Sequence, residues 1–481
     1  MKNDRVFTAD LIVRRMLDGI GYSGSGIDGR RILEPSFGDG AFLVEIVRRI
    51  LDRYVDCPVD TVFSALSMVH GMEINHDTFR SAVDRLDALL AERGIHGYGW
   101  PGLVCGDMLS CTDGIRYDYI IGNPPYVRLH DLDHGMRSRL GDFRFGNGTT
   151  DMYILFYEKC MGLLGSGGKL CFITPNSYFK NASQGKFREW VAGNGFLSSI
   201  WDYGNIRVFD ADTYTAVALM DASGNGGRIR YALMDGADSE KYHVWLDSDY
   251  LSGKKPWRFG SARDMEFLDC NRKLGVKLGD ICTVRNGIST NADGVYVVSQ
   301  DTVERLGLEL ARPAVKASTL DSGNCIIFPY RDEGGTFVVI PEDEMKESFP
   351  NTYAYLSARK DVLCGRDMDG NGSEWYRYAR SQGIQDTGKK KIALKHFISS
   401  GENPSAEWLE CTEGTIVYSG MYITFGEENE SAVKSVLGSS HFGRYLFLCG
   451  KNVSGGYRTV NTLTVKEYGI GDSDASGQVC G

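Results

Sequence analysis

The sequence lacks several features that mark common protein classes. Its 481 residues include 12 cysteines, and no two of them form a Cys-x-x-Cys pair or have the spacing of zinc ligands. No apolar run approaches the roughly 18 residues of a membrane helix, and the start MKNDRVFTAD has no apolar core of a signal peptide. We therefore expect no metal, no disulfide framework, no membrane partner and a cytoplasmic location.

The chain also lacks an excess of positive charge. Its formal net charge is -10, which does not favour a protein that binds nucleic acid over its whole surface. A local basic cleft remains compatible with that charge. Hydrophobic residues make up 42% and charged residues 24% of the sequence, so a globular protein of two or three domains is expected.

The first half of the chain alternates strand-like and helix-like patterns. Short apolar runs predict strands at 31–38, 67–74, 102–109, 117–123, 167–175, 198–204 and 213–222. Helical spacing of apolar residues predicts helices at 41–54, after a capping Asn75, and at 151–165. This alternation is typical of an α/β fold with a parallel, doubly wound sheet, in which ligands bind beyond the carboxyl ends of the strands.

The second half has short strands, frequent glycine turns and no strand–helix–strand repeat. The polar stretch 246–261 contains a candidate boundary. We therefore predict a first domain at 1–255 and a second, mixed α+β domain at 256–481.

Polar and glycine residues lie at the ends of the first three predicted strands. Gly38 and Gly40 permit a tight turn and close approach of a ligand. Glu73 can accept the hydroxyls of a ribose, Asp107 can accept the amino hydrogen of an adenine, and Met108 can pack on the ring. Singly, each is equally compatible with an ordinary strand–helix corner, a solvated acid or an Asx turn; together they outline an adenosine-sized ligand.

The stretch Asn123-Pro124-Pro125-Tyr126 follows the fourth strand. Pro125 fixes its own φ and forces Pro124 into an extended conformation, so the loop is stiff. The Asn123 side chain and the Pro124 carbonyl can then accept both hydrogens of an exocyclic amine, while Tyr126 stacks on its ring. Such positioning would direct the nitrogen lone pair at an electrophilic methyl group without a strong base.

These segments together resemble a known family. FTADLIVRRML, LEPSFGDGAF, GMEIN, GDML and NPPY occur in the order found in the gamma-class, TaqI-like N6-adenine DNA methyltransferases. In the second half, LGDICTVRNGISTNADGVYVV and EWYRYARSQG resemble that family's target-recognition domain. The resemblance implies a Rossmann-like class I methyltransferase domain followed by a DNA target-recognition domain.

The resemblance also implies roles for individual residues. S-adenosylmethionine would bind along residues of the first domain, which are Thr8, Glu34, Pro35, Gly38, Glu73, Asp107, Met108 and Phe156. The catalytic set would be Asn123, Pro124, Pro125, Tyr126 and Phe209, with Phe209 stacking on the second face of the adenine. Phe37 departs from the small residue expected there, and we expect it to reshape the methionine pocket.

Basic and amide side chains of the second domain are candidate contacts to double-stranded DNA. They are Arg285, Asn286, Arg377, Arg380, Lys389, Lys390 and Lys391. A solvated surface is the alternative interpretation of the lysine run.

The function predicted from these motifs is site-specific transfer of a methyl group to N6 of a flipped-out adenine in duplex DNA, in restriction-modification, phage defence or an epigenetic role. Methylation of RNA or of a protein glutamine, and a catalytically silent DNA-binding module, are the alternatives. A nicotinamide oxidoreductase is the weakest, because the Gly38-Asp39-Gly40 turn does not continue as G-x-G-x-x-G. We expect a monomer without cleavage activity of its own and leave open a separate restriction endonuclease as partner.

Overall fold

The structure is a computed structural model that divides into two compact units, Met1–Ala262 and Arg263–Gly481. It describes residues 2–112, 114–127, 140–146, 150–204, 206, 208, 214–224, 227–253, 255–368, 374–399, 404–453 and 457–471, apart from the side chains of 2–9 and 452. The division falls slightly after the boundary that we predicted at residue 255.

The first unit contains every strand and helix that the alternating pattern predicts. Its described strands are β1 (Ile32–Glu34), β2 (Val69–Glu73), β3 (Leu103–Cys105), β4 (Tyr117–Gly122), β5 (Leu164–Pro175), β6 (Leu197–Asp202), β7 (Thr215–Asp221), β8 (Arg228–Met234) and β9 (Glu240–Asp247). Its described helices are α1 (Lys2–Ile20), α2 (Ala41–Arg53), α3 (Val59–Leu66), α4 (His76–Ala91), α5 (Met152–Leu163) and α6 (Gly185–Gly193). The strands β8 and β9 and the helices α1, α3 and α6 were not predicted.

These strands form one sheet in the order β3-β2-β1-β4-β5-β7-β6-β8-β9. The pairs from β3 to β5 are parallel, as expected for a doubly wound sheet. The strands β7 and β9 depart from the predicted parallel sheet, because they run antiparallel to their neighbours. The connection 235–239 between β8 and β9 is short, and a parallel pair needs a crossover of about a dozen residues or more.

The apolar stripe predicted on α2 is buried in the core of this unit. Its members Phe42, Leu43, Ile46, Val47, Ile50 and Leu51 all belong to one cluster of buried side chains. The predicted cap of α4 is also present, because Asn75 Oδ1 accepts hydrogen bonds from the N–H groups of Asp77 and Thr78, both at 3.0 Å. Capping and burial therefore fix the helices that flank β1 and β2.

The second unit is built from shorter elements. Its described strands are β10 (Cys282–Asn286), β11 (Val297–Ser299), β12 (Ala311–Lys316), β13 (Asp321–Ile327), β14 (Tyr330–Glu333), β15 (Thr336–Val339), β16 (Lys391–Leu394), β17 (Phe397–Ile398), β18 (Trp408–Cys411), β19 (Ile416–Tyr418), β20 (Met421–Phe425), β21 (Lys451–Asn452) and β22 (Arg458–Thr459). The described helices, numbered onward from the junction, are α7 (Ala262–Lys273), α8 (Leu278–Ile281), α9 (Asp293–Tyr296), α10 (Gln300–Leu306), α11 (Glu342–Ser348), α12 (Pro350–Ser357), α13 (Lys360–Cys364), α14 (Glu430–Gly438), α15 (Ser440–Cys449) and α16 (Thr462–Lys466).

Two four-stranded sheets dominate this unit, in the orders β10-β20-β16-β18 and β11-β13-β12-β19. In the first sheet, alternate residues of β16 and β20 belong to different buried clusters. Ile392 and Ile423 belong to a cluster that includes side chains of α14 to α16, whereas Ala393 and Tyr422 belong to a smaller one. Period-two alternation therefore buries both faces of this sheet.

No helix among the described residues is long and apolar enough to cross a bilayer. The eleven cysteines within the described part of the chain all have free thiols.

Phe37 occupies a place that the sequence did not predict. Its ring is buried in the core of the first unit, with 5.6 Å between its centroid and that of Phe79, and its effect on a methionine pocket stays a prediction. Space for it exists because Gly71, on β2, has no side chain. A Cβ at Gly71 would lie 2.8 Å from Phe37 Cδ1 and 3.0 Å from Leu103 Cδ2.

We therefore predict that Gly71→Ala destabilises the first unit. Overpacking of a core costs about 1–3 kcal/mol, which corresponds to a lower thermal midpoint by roughly 2–10 °C in a unit of this size. Gly99→Ala is the matched control, because no described atom lies within 4 Å of the added Cβ there. Equal thermal midpoints for the two variants, measured by circular dichroism, would show that Phe37 is not held against Gly71.

Candidate active site

The turn after β1 is held against the end of β2 by hydrogen bonds that its backbone N–H groups donate. The N–H of Phe37 donates to Met72 O at 3.0 Å, and the N–H of Gly38 donates to Glu73 Oε2 at 2.9 Å. Gly38 and Gly40 have φ values of 52° and 80°, in the left-handed region that favours glycine. An added Cβ at Gly38 would meet no described atom within 4 Å, so this turn leaves open space for a ligand.

Glu34 ends β1 with its carboxylate buried. Its side chain accepts a hydrogen bond from Leu43 N, in the first turn of α2, at 3.0 Å, and the residue is 2% exposed. Burial raises the pKa of this carboxyl well above its ordinary value; the Leu43 N–H opposes the rise, and the charges of Asp39 and Glu73 add to it. Pro35, which follows, is also buried.

The end of β2 presents one carboxylate and one exposed apolar side chain. Glu73 Oε1 accepts from Asn75 N at 2.8 Å while Oε2 accepts from Gly38 N, and a carboxylate has about four acceptor positions in all. Ile74, the next residue, is 60% exposed although it is aliphatic. Ile74 is not among the residues predicted from the sequence. The sequence feature that could have revealed it is an apolar residue directly after the acid that ends a strand. A flat ring of a ligand could cover such a side chain.

Asp107 is the polar residue that follows β3. Its Oδ1 accepts from Leu109 N at 3.0 Å and its Oδ2 accepts from Ser110 Oγ at 2.8 Å. The local capping role that was the alternative interpretation is therefore present. Met108 and Phe156 are 3% and 5% exposed, so both side chains pack in the protein interior in this structure.

A cavity opens beside Asp107. Its volume is about 760 Å³, and Leu109, Leu155 and Lys159 are among the residues that line it together with Asp107. An adenosine-sized group fits a cavity of this volume.

The Asn-Pro-Pro-Tyr loop begins directly after β4. The phenol of Tyr126 donates a hydrogen bond to Asn123 Oδ1 at 2.5 Å and lies 3.3 Å from the carbonyl oxygen of Ile173, on β5. Burial raises the pKa of the Tyr126 hydroxyl, so the group is a neutral donor at physiological pH. The Tyr153 ring packs edge-on against Tyr126, with 6.4 Å between the ring centroids.

The loop lies beside the turn after β1 because β1 and β4 are neighbours in the sheet. A Cβ at Gly122 would lie 3.4 Å from Pro35 Cδ. The structure thus brings together, at one sheet edge, the predicted residues Glu34, Pro35, Gly38, Glu73, Asp107 and Asn123 to Tyr126. Phe209 and the side chain of Thr8 lie outside the described residues.

The predicted DNA contacts of the second unit differ in exposure. The side chains of Arg285, Asn286, Arg380, Lys389 and Lys390 are exposed, and that of Arg377 is half-buried.

Lys391 is 3% exposed, and its Nζ donates to the carbonyl oxygens of Asp386 at 2.6 Å and of Thr415 at 3.1 Å. The prediction that Lys391 contacts DNA is therefore wrong: its position at the start of β16 turns the side chain inward.

Comparisons with known proteins agree with this layout. Residues 79–209, which include the Asn-Pro-Pro-Tyr loop, match the family model of the Eco57I restriction-modification methylase. The chain is 28% identical over 410 residues to the type II methyltransferase M.PaeR7I of Pseudomonas aeruginosa, covering 77% of this chain and 70% of that protein. It is 24% identical over 424 residues to M.BstVI of Geobacillus stearothermophilus, covering 77% and 73%.

A solved structure supports the fold over nearly the whole chain. The type IIL restriction-modification enzyme MmeI, in complex with DNA, superposes with a TM-score of 0.64 and covers 96% of this chain at 13% identity. This chain spans 64% of that chain's length. At this identity the likeness shows the shared fold alone.

We predict that Glu34→Gln changes stability with pH in a defined direction. The pKa of Glu34 in the folded state lies above 4.5, the ordinary value that it has in the unfolded state. At a pH above 4.5 the unfolded state therefore binds fewer protons at this residue than the folded state does, and wild-type stability falls as pH rises. Glutamine has no such cost and can still accept from Leu43 N. The thermal midpoint of the variant, minus that of the wild type, should therefore increase between pH 5 and pH 8.

Glu92→Gln is the matched control, since Glu92 is an exposed carboxylate at the end of α4. The difference in thermal midpoint between Glu34→Gln and the wild type could instead be the same at every pH. That result would contradict the claim that burial raises the pKa of Glu34.

Proposed function

We propose that this chain, which belongs to the restriction-modification DNA methyltransferases related to Eco57I and uses S-adenosylmethionine, methylates N6 of adenine in duplex DNA. The observation that carries the proposal is the stiff Asn-Pro-Pro-Tyr loop beside the Gly38 turn. In that position the loop would hold an amine beside the residues that would bind the cofactor.

Residues at the ends of β1, β2 and β3 would hold the cofactor. The open backbone at Gly38 would accommodate its methionine part, and Glu73 has acceptor positions left for ribose hydroxyls. Ile74 offers an exposed apolar surface for the adenine ring, and Asp107 an acceptor for its amino group. Glu34 would act mainly by fixing the first turn of α2, through Leu43 N. When bound, S-adenosylmethionine supplies an electrophilic methyl group.

Asn123 and Pro124 would bind the target amine. Asn123 Oδ1 has two acceptor positions, of which the Tyr126 phenol occupies one in this structure. That hydrogen bond fixes the amide so that the second position and the Pro124 carbonyl can accept the two amino hydrogens. The nitrogen would gain the methyl group as the carbon–sulfur bond of the sulfonium breaks and leaves the neutral thioether S-adenosylhomocysteine. The nitrogen would then release one proton to water, so no strong base is required at the site.

Base extrusion sets a further requirement, because the amine is buried in a duplex. Flipping a base costs a few kcal/mol, and stacking on an aromatic ring returns about 1–3 kcal/mol. Tyr126 would supply one such ring and Phe209 the other. Exposed Arg285, Asn286 and Lys389 of the second unit would supply contacts to the DNA, and that unit would read the target sequence.

The identity of the base is the finer part of the proposal. Cytosine also carries a planar exocyclic amine, which Asn123 and Pro124 could hold in the same way. The likeness of the ordered motifs to the N6-adenine enzymes favours adenine. We further propose that the enzyme acts as a monomer and that any cognate endonuclease is a separate protein.

Two substitutions should separate the roles of Asn123 and Tyr126. Asn123→Ala removes an acceptor that is used during methyl transfer, so we expect the turnover number to fall about 100-fold or more while cofactor affinity stays within about threefold. Tyr126→Phe keeps the stacking ring and loses the hydroxyl's hydrogen bonds to Asn123 and to the Ile173 carbonyl oxygen, so we expect a fall of about tenfold or less. Single-turnover assays and cofactor titrations would measure both. Equal effects of the two variants would contradict the assigned roles.

Methylation sequencing tests the proposed reaction and its specificity together. We expect DNA from a methylation-free host that expresses this protein to carry modified adenine at one short motif, and no modification when Asn123→Ala is expressed. Modified cytosine would overturn the choice of base. An unmodified genome, with folded protein present, would favour an RNA or glutamine substrate or a silent DNA-binding module.

A further inference from the structure

A cluster of charged side chains in the second unit has an unusual arrangement. The carboxylate of Asp386 is 3% exposed, while two cations that contact it are largely exposed: Arg285 at 49% and Lys389 at 61%. Lys389 Nζ lies 2.9 Å from Asp386 Oδ1, and Arg285 Nη1 lies 3.5 Å from Asp386 Oδ2. A ligand that approaches this surface therefore meets the two cations rather than the acid.

Buried groups on the inner side of Asp386 also hold this residue by hydrogen bonds. Tyr422, on β20, donates its hydroxyl to Asp386 Oδ2 at 2.9 Å, and the buried Lys391 ammonium donates to the Asp386 carbonyl oxygen at 2.6 Å. Burial lowers the pKa of Lys391 to about 8, and the Asp386 charge opposes this fall. Burial alone would raise the pKa of Asp386, but hydrogen bonds from Lys389 and Tyr422 outweigh it and lower that pKa. The acid is therefore ionised at neutral pH.

The backbone is shaped to permit this arrangement. Gly383 precedes the short helical turn Ile384–Asp386 and has a φ of 91°. A Cβ there would lie 2.6 Å from the Tyr422 hydroxyl oxygen, so only glycine allows that hydroxyl to reach Asp386 without a shift. Arg285 is the cross-strand partner of Tyr422 in the β10–β20 pair, which places its side chain beside the same carboxylate.

The ion pairs with Lys389 and Arg285 offset the burial of the Asp386 charge. They have a second effect, because they restrict two flexible and largely exposed cations to one place and orientation. Restricted cations bind an anion with less loss of side-chain entropy than free ones.

We propose that Asp386 is a positioning residue that holds Arg285 and Lys389 as one pair for binding the phosphate backbone of the target DNA. This inference rests on the proposed function and assigns to a buried acid a role in DNA affinity. For neutralisation of Asp386, the positioning role and the change in overall charge predict opposite effects on DNA affinity. Neutralising an acid raises the positive charge of the surface and should strengthen DNA binding, whereas loss of positioning should weaken it.

The test measures how tightly the full-length protein binds a duplex in the presence of a non-reactive cofactor analogue. The duplex is unmethylated and contains the target motif that methylation sequencing identifies. We expect Asp386→Asn to weaken binding about fivefold or more, although the variant carries one negative charge less. Asp301→Asn, at an exposed acid on α10, is the charge control and should bind as tightly as the wild type or more tightly.

A double-mutant cycle separates positioning from a loss of fold. In an Arg285→Ala, Lys389→Ala background, Asp386→Asn should change affinity by less than about twofold, because the residues through which it acts are absent. A fivefold loss that persists in that background would show a purely structural effect and overturn the inference. Tyr422→Phe keeps the packed ring and frees the carboxylate from one bond, so it should give a smaller loss in the same direction.

Two outcomes distinguish failure of this inference from failure of the proposed function. If the wild type methylates and binds the duplex but Asp386→Asn binds equally well or better, only the positioning role is overturned. If the wild type neither binds nor methylates DNA, both proposals fall.

Discussion

The parallel pairing of β1 with β4 is the constraint on which the rest of the candidate site depends. It places Leu33 opposite Ile120, so that the turn after β1 and the loop after β4 emerge at the same edge. Gly122 lets the second loop approach Pro35 closely. Sheet register and close backbone approach thus bring the turn after β1 and the loop after β4 together.

Glu73 extends this arrangement to the next strand. Its two carboxylate oxygens accept N–H groups on either side of it, one from Gly38 and one from Asn75. The same residue therefore joins the turn after β1 to the first turn of α4 and remains able to accept further hydrogen bonds. A ligand that binds here would meet an acid that is already fixed in place, which lowers the entropy cost of binding.

Each unit also buries a charged group whose burial is unfavourable by itself. Glu34 in the first unit and Lys391 in the second have pKa values shifted toward the neutral form by burial. Each is hydrogen-bonded to backbone: Glu34 to the start of α2, and Lys391 to the carbonyl oxygens of Asp386 and Thr415. In both places the buried group orders a backbone segment next to residues that we assign to ligand binding.

Much of this could be predicted from the sequence, and the failures have physical reasons. Strand–helix alternation and the Asn75 cap depend on local patterns, so they were predicted correctly. The place of Phe37 depends on the missing side chain of Gly71, a contact between distant residues that no local pattern reveals. Lys391 looks like its exposed neighbours in a lysine run, and only the pairing of β16 turns it inward. Ile74 was missed because one exposed aliphatic residue is a weak signal.

The central claim is that the loop after β4 presents the amine of an adenine to a methyl donor bound along β1 to β3. Nucleoside mass spectrometry tests it most directly, after incubation of the purified protein with unmethylated duplex DNA and S-adenosylmethionine that carries a deuterated methyl group. The account predicts that the label appears in N6-methyldeoxyadenosine and in no other nucleoside. Label in N4-methyldeoxycytidine, or DNA that stays unlabelled while RNA or protein in the same mixture is labelled, would contradict it.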